Sequence, residues 1–125
     1  MTTLEKLIQR NLSIDGKRLS LYGHHIADVK DVKFPDGLQV LSLGGNQIAD
    51  VKGVKFPDGL QVLGLDGNQI ADVKDAHFPD GLQALYLGDN LLADISKLRF
   101  TMKNGTYRLY GSRLVKAELG GDIND

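Results

Sequence analysis

The stretch FPDGLQVLSLGGNQIADVKGVK, residues 34–55, is followed without a gap by FPDGLQVLGLDGNQIADVKDAH, residues 56–77, and FPDGLQALYLGDNLLADISKLR, residues 78–99. The first two copies agree at 17 of 22 positions, too many for a chance similarity. A fixed period of this size is the signature of a solenoid, in which each copy forms one coil and stacks on the next. The repeat therefore decides the fold class before any single residue is considered.

Each copy carries the pattern L-x-x-L-x-L-x-x-N-x-I or its close variant, starting at Leu38, Leu60 and Leu82. Residues alternate between the two faces of a strand, so the second and third leucines of each copy, such as Leu41 and Leu43, point together into the coil. One coil cannot bury these apolar side chains alone, whereas neighbouring coils bury them between each other. The pattern predicts one short strand per copy, stacked in parallel.

This pattern resembles the leucine-rich repeat family, and the IADV tail of each copy resembles its 22-residue internalin-like subclass. The FPDG segment departs from that subclass. The resemblance implies an α/β leucine-rich repeat solenoid shaped as a short right-handed horseshoe. It would have about five parallel strands on the concave face, irregular or short helical turns on the convex face, and an N-terminal capping helix.

The two ends of the chain are degenerate, as expected for the terminal coils of an array. We expect a single domain over 1–125, with an N-terminal cap over 1–15, repeats over 16–99, and a degenerate last repeat and C-terminal cap over 100–125. Thr2 and Glu5 fit a capping box, which predicts a helix over 2–10. Residues 106–110 continue the repeat as a fifth strand, while Asn104-Gly105 also favours a hairpin; the two interpretations are compatible, and we favour their combination.

Two columns of the repeat are expected to be structural. The amides of Asn46, Asn68 and Asn90 stand where each strand turns inward, and can satisfy backbone groups that no strand ladder reaches. The phenylalanines recur at the same 22-residue spacing and are expected to stack as an internal spine, with an aromatic binding stripe as the alternative: Phe34, Phe56, Phe78 and Phe100.

The solvent-facing strand positions line the concave surface in leucine-rich repeats, which is the usual binding face of that family. Here its middle is built from small residues, and its flanks carry tyrosine and arginine, the residue types that most often dominate interface energy. The predicted partner-binding residues are Arg18, Tyr22, Ser42, Asp66, Tyr86, Arg108 and Tyr110. We expect Tyr86, Arg108 and Tyr110 to form the hot spot for a protein or peptide partner.

Other classes of function are disfavoured. Fifteen basic and sixteen acidic side chains give a formal charge of −1, without the basic excess that nucleic-acid binding requires. No apolar run approaches the ~20 residues of a membrane span. The absence of cysteine excludes disulfides and cysteine-ligated zinc, and with the lack of a signal-peptide core it favours a cytoplasmic protein.

The sequence also gives only weak signals for a metal site or a catalytic site. His24, His25 and Asp28 lack an evident further metal ligand, and the recurring aspartates are better interpreted as turn-capping carboxylates than as calcium ligands: Asp28, Asp50, Asp72 and Asp94. No nucleophile or phosphate-loop motif occurs. We therefore expect no enzyme, no cofactor and no metal.

Two functions remain. The first is a protein-binding module that recognises a protein or peptide through the concave β-face. The alternative is a structural or consensus-like repeat scaffold that self-associates or assembles, since the central copies are nearly identical. Either would be a monomer or a weak homo-oligomer.

Overall fold

The computed structural model describes residues 2–73 and 76–92. Their elements are one helix, α1 (Thr3–Asn11), and four strands, β1 (Arg18–Ser20), β2 (Val40–Ser42), β3 (Val62–Gly64) and β4 (Ala84–Tyr86). The strands form one parallel sheet in the order β1-β2-β3-β4. This is the α/β repeat solenoid that the period predicts. The predicted fifth strand at 106–110, the C-terminal cap and the predicted site residues Arg108 and Tyr110 lie outside the described residues.

The sheet register reproduces the sequence period. Leu19 pairs with Leu41, Leu41 with Leu63, and Leu63 with Leu85, each 22 residues apart. Backbone hydrogen bonds between coils continue well past the three-residue strands. In the second and third coils they run from Gln61 N, which donates to Gln39 O at 2.8 Å, to Gln69 N, which donates to Ile48 O at 2.8 Å. Each copy is therefore held to its neighbour along its whole strand side.

The core is the interior of the stacked coils. In the copy that starts at Phe56, the inward side chains are all buried and recur in the neighbouring copies: Phe56, Leu60, Leu63, Leu65, Ile70, Val73 and Ala76. The degenerate first coil contributes Leu19, Leu21 and Ile26 at the matching positions. Burying a large apolar side chain fully stabilises by roughly 1.5–3 kcal/mol before conformational entropy is considered. Stacking supplies that burial because each coil covers the open side of the next.

The far side of each coil consists of tight turns. Val54 N donates to Val51 O at 3.3 Å, and Leu60 N donates to Pro57 O at 3.1 Å. The same pair of four-residue turns recurs one copy earlier and one copy later. Between β1 and β4 no helix is present in the described part of these turns, so their path is irregular, as the sequence suggested.

The phenylalanine column forms an internal stack. The rings of Phe34 and Phe56 lie 6.3 Å apart at 14°, and those of Phe56 and Phe78 lie 6.0 Å apart at 22°. All three are buried. The prediction of a spine is confirmed for these three residues, and they offer no aromatic stripe to a partner. Phe100 lies outside the described residues.

Helix α1 begins with the capping box that the sequence indicated. Thr2 Oγ1 accepts from Glu5 N at 3.1 Å, and the Glu5 carboxylate accepts from Thr2 N at 3.4 Å. Ile8 of the helix is part of the core. Immediately after the helix, Leu12 forms an antiparallel bridge with Leu19 of β1. The chain entering the array thus lies along the outer edge of β1, which would otherwise present unpaired backbone groups.

Candidate functional site

The outer face of the sheet is formed by the strand side chains that point away from the core. In β2 this is seen as alternating burial, with Leu41 buried between the half-buried Val40 and Ser42. Since the strands pair in register, outward positions line up as columns that cross the sheet. One column contains Arg18, Val40, Val62 and Ala84, and the next contains Ser20, Ser42, Gly64 and Tyr86.

An asparagine ladder shapes one end of this face. Asn68 Oδ1 accepts from Ile48 N at 3.0 Å, while its Nδ2 donates to the carbonyls of Leu43, Leu65 and Asp66 at 3.1, 3.0 and 3.2 Å. Asn46 and Asn90 repeat this arrangement one copy on either side. The amides bind backbone of their own coil and of the preceding one, so they position the segment that carries Tyr22, Gly44 and Asp66.

The ring of Tyr22 lies across the backbone of the next coil. A methyl group added at Gly45 would lie 2.8 Å from Tyr22 Cζ, and one added at Gly44 would lie 3.1 Å from Tyr22 Cδ2. With the ring in this position a side chain would be crowded, so the ring occupies the space that glycine leaves open. Tyr22 is nevertheless 62% exposed. It is therefore held against the sheet while much of its surface faces solvent.

The Asp66 carboxylate also lies close to Gly44. A methyl group at Gly44 would lie 2.9 Å from Asp66 Oδ1 and 3.1 Å from Oδ2, and one at Gly64 would lie 3.4 Å from Oδ1. Ser42 Oγ lies 3.7 Å from that same position above Gly64. Tyr22, Ser42 and Asp66 come from three successive coils, and the structure brings them together over two glycines.

This arrangement corrects one expectation. The sequence predicts a middle of small residues between flanks of tyrosine and arginine. The structure instead brings the Tyr22 ring, predicted for one flank, and the Asp66 carboxylate over Gly44, so that they cover part of this middle. The physical reason is that a glycine leaves a space the size of a side chain, which longer side chains of neighbouring coils then occupy.

The remaining predicted residues have distinct locations. Arg18 is exposed at the start of β1, in the column of Val40 rather than in that of Tyr22. Tyr86 is half-buried in β4, with Gly64 as its neighbour in β3. The described residues thus join Tyr22, Ser42 and Asp66 into one cluster.

Two positions that shape this face were not predicted from the sequence. Gly44 and Gly45 carry no side chain and leave open the space that Tyr22 and Asp66 occupy. The available signal was the Gly-Gly pair in a column where the next copy has Asp66-Gly67. Gly45 also has a φ of +66°, a left-handed conformation that a larger residue adopts at a cost. The backbone therefore favours glycine here, and an added side chain would also displace the ring of Tyr22.

The aspartates of the turns act as caps within their own loops. Asp28 Oδ1 accepts from Lys30 N at 2.9 Å, and Asp50 Oδ1 accepts from Lys52 N at 2.8 Å. This confirms the turn-capping interpretation for these two residues. Among residues 2–73 and 76–92, no group of three histidine or acidic side chains is placed to hold a metal ion.

Open grooves also occur on the turn side of the coils. One of about 660 Å³ runs between the Phe34 and Phe56 segments, and another of about 760 Å³ runs between the Phe56 and Phe78 segments. Both are lined by charges of mixed sign, for example Lys55 and Asp58. Such a lining is typical of a solvated surface and points to no particular ligand. No helix in the described part of the chain is long and apolar enough to cross a membrane.

Comparison with known proteins supports the fold. The chain is similar to the crystal structure of an internalin from Listeria monocytogenes, with a TM-score of 0.54 and 22% sequence identity. The similarity covers 76% of this chain and 29% of the internalin chain, so this chain spans less than a third of that protein's length. No protein-family model matches the chain, and no curated protein matches it. At this level of identity, the similarity supports a leucine-rich-repeat-like fold but neither a subclass nor a function.

Proposed function

We propose that the chain is a protein-interaction module that binds a protein or peptide through the outer face of its sheet, the face that is concave in a horseshoe-shaped repeat. The observation that carries the proposal is the cluster of Tyr22, Ser42 and Asp66 on the outer face of a hydrogen-bonded parallel sheet. A partly exposed tyrosine held in place loses little conformational freedom on binding, which favours its use as an anchor. We also propose that the repeat belongs to the 22-residue internalin-like subclass; the 22-residue register of the four described strands supports this.

The size of the face fits this role. Strands about 4.8 Å apart give the four described strands a width of roughly 15–20 Å. Together with side chains from the flanking turns, such a face could contribute a share of the ~800 Å² per partner of a standard interface. Its outward columns are mostly small or apolar in the middle, as in Val40, Ser42 and Val62, so an extended peptide can approach the sheet closely.

Selection from a random 12-residue peptide display library would test this function. Clones enriched on the wild-type protein should lose binding to the Ser42→Trp variant, because a bulky ring in the middle of the face blocks the approach. The turn-side variant Lys52→Ala serves as the matched control and should retain binding. A separate variant with alanine at Tyr86, Arg108 and Tyr110 tests the proposed hot spot.

Three results would contradict the proposal: no enriched clones, clones that tolerate Ser42→Trp, or clones that are lost with Lys52→Ala. Sedimentation velocity at several protein concentrations distinguishes peptide binding from the alternative function, a scaffold that self-associates. A concentration-dependent rise in mass that Ser42→Trp abolishes would assign the face to self-association instead of to a foreign peptide.

A further inference from the structure

The Asp66 carboxylate has no hydrogen-bond donor or cation as a partner in the part of the chain that the structure describes. Within residues 2–73 and 76–92 it accepts no hydrogen bond and forms no ion pair; the only bond to this residue from the asparagine ladder goes to its backbone carbonyl. The carboxylate lies close to Gly44 and Gly64, which have no side chains to donate a hydrogen bond. Asp66 is also half-buried. A carboxylate that has lost part of its hydration without gaining a donor favours an incoming cation.

The surroundings of the carboxylate favour an organic cation over a metal ion. Calcium takes six to eight oxygen ligands, whereas the structure supplies one carboxylate and the hydroxyl of Ser42 nearby. The ring of Tyr22 lies on the other side of Gly44. An ammonium or guanidinium group is attracted to a carboxylate and to the face of an aromatic ring at the same time. The long alkyl stem of lysine or arginine can also pack on apolar surface.

We propose that Asp66 and Tyr22 form a subsite for a lysine or arginine side chain of an extended peptide that lies on the outer face of the sheet. Residues two apart on such a peptide face the same way. The cation would therefore point to Asp66 while its neighbours two positions away contact the half-buried column of Val40 and Val62. This inference rests on the proposed peptide-binding function and specifies which peptides the face selects.

The probe is the peptide acetyl-Val-Ala-Lys-Ala-Val-amide, with norleucine in place of lysine as its matched, uncharged partner. Each is titrated into the ¹⁵N-labelled full chain and followed by the amide signals of Gly44, Gly45, Gly64 and Asp66. We expect the lysine peptide to shift these signals and to bind at least about fivefold more tightly than the norleucine peptide, since hydrogen bonds to charged groups are the stronger class. Raising the salt concentration should reduce this difference.

Two variants make the assignment specific. Asp66→Asn keeps the shape of the side chain but removes its charge, and it should abolish the preference for lysine over norleucine. Tyr22→Leu keeps an apolar contact but removes the ring, and it should reduce the preference in part. Asp58→Asn, on the turn side, is the matched control and should leave both affinities unchanged. The amide spectrum of each variant shows whether the fold is retained.

The outcomes separate this inference from the function on which it rests. Equal binding of the two peptides on the outer face, or an unchanged preference in Asp66→Asn, would overturn the cation subsite and leave the peptide-binding function standing. Failure of both peptides to bind would also overturn the subsite. The peptide-binding function itself is tested separately by the library selection. Shifts confined to the turn-side grooves would overturn both.

Discussion

At the scale of single residues, the asparagine column shows how one amide replaces a missing stretch of backbone pairing. Asn68 is 7% exposed and makes four hydrogen bonds to backbone groups of two coils, its own and the preceding one. It uses one acceptor oxygen and two donor hydrogens, a combination that only a carboxamide offers, and glutamine carries its carboxamide on a longer stem. The residue type was predictable from the sequence because the segment that turns inward leaves its carbonyls without strand partners.

Replacing Asn68 should destabilise the protein without altering its surface. We expect Asn68→Ala to lower the free energy of unfolding by at least about 2 kcal/mol, since several buried backbone groups lose their partner. Urea unfolding measures the change. Gln69→Ala, at the exposed neighbouring position, is the control and should have little effect. Equal midpoints for the two variants would show that the amide bonds are not stabilising.

The variant Asn68→Asp should make the stability of the protein depend on pH in one direction, which a simple loss of packing would not do. An ionised carboxylate beside three carbonyl oxygens is disfavoured, so the pKa of the introduced group should rise in the folded state. The folded state then binds more protons than the unfolded state, and stability should fall as pH rises through that interval. Stability of this variant that increases with pH over the same range, relative to wild type, would contradict the geometry.

At the scale of elements, the loop between α1 and β1 is organised around Asp15. Ser13 Oγ donates to Asp15 Oδ1 at 2.6 Å, and Lys17 N donates to the same oxygen at 3.0 Å. Ser13 Oγ in turn accepts from Arg18 N at 3.0 Å, which links the loop to the first strand. The hydrogen bond from Ser13 and then that from Lys17 N lower the pKa of Asp15 below its usual value.

Removing the Ser13 hydroxyl should raise the pKa of Asp15 toward its usual value. Asp15 is exposed, so the effect is expected mainly in its titration and only weakly in stability. Because its folded pKa is lowered, its contribution to stability is present above the unfolded pKa and is lost as pH falls through the folded one. Titration of the carboxyl signal by NMR in Ser13→Ala measures the shift.

Lys17→Met is the control for this titration, since it removes the side-chain charge but keeps the backbone donor. It should change the pKa of Asp15 less than Ser13→Ala does, in line with the smaller effect of the Lys17 charge. An Asp15 pKa that moves more in Lys17→Met than in Ser13→Ala would show that charge, rather than hydrogen bonding, controls this loop.

At the scale of the whole molecule, the described residues form a stack in which each strand packs against the next one along the chain. The inward leucines of one copy are buried by the next, and the three described phenylalanines touch in sequence order. Stability in such stacks is approximately a sum of contributions from coils and from the interfaces between them. A further coil in the same register should therefore add to stability.

Inserting a second copy of residues 56–77 directly after His77 tests this additivity. We expect a higher urea midpoint and a larger m-value, because more surface is exposed on unfolding. The matched control is an insertion of equal length in which the leucines corresponding to Leu63 and Leu65 are serine, so that length increases without burial. An insertion that lowers stability as much as this control does would show that the coils are not interchangeable units.

The coil and its stacking could be predicted from the sequence alone. A 22-residue period, leucines two positions apart and a phenylalanine in each copy define which side chains point inward, because alternation and repetition act locally and identically in every copy. The register of all four described strands follows from that period. So do the turn-capping role of Asp28 and Asp50 and the capping box at Thr2, since each involves residues a few positions apart.

Only part of the candidate site could be predicted from the sequence. The repeat pattern predicted that Tyr22, Ser42 and Asp66 lie on the surface. Nothing in their spacing predicted that they lie close together. Tyr22 and Asp66 are brought together by the open space above Gly44, on a coil that lies between them. Which side chain fills a space left by glycine depends on the three-dimensional placement of neighbouring coils. Tertiary structure alone therefore decided that this face carries a carboxylate beside an aromatic ring.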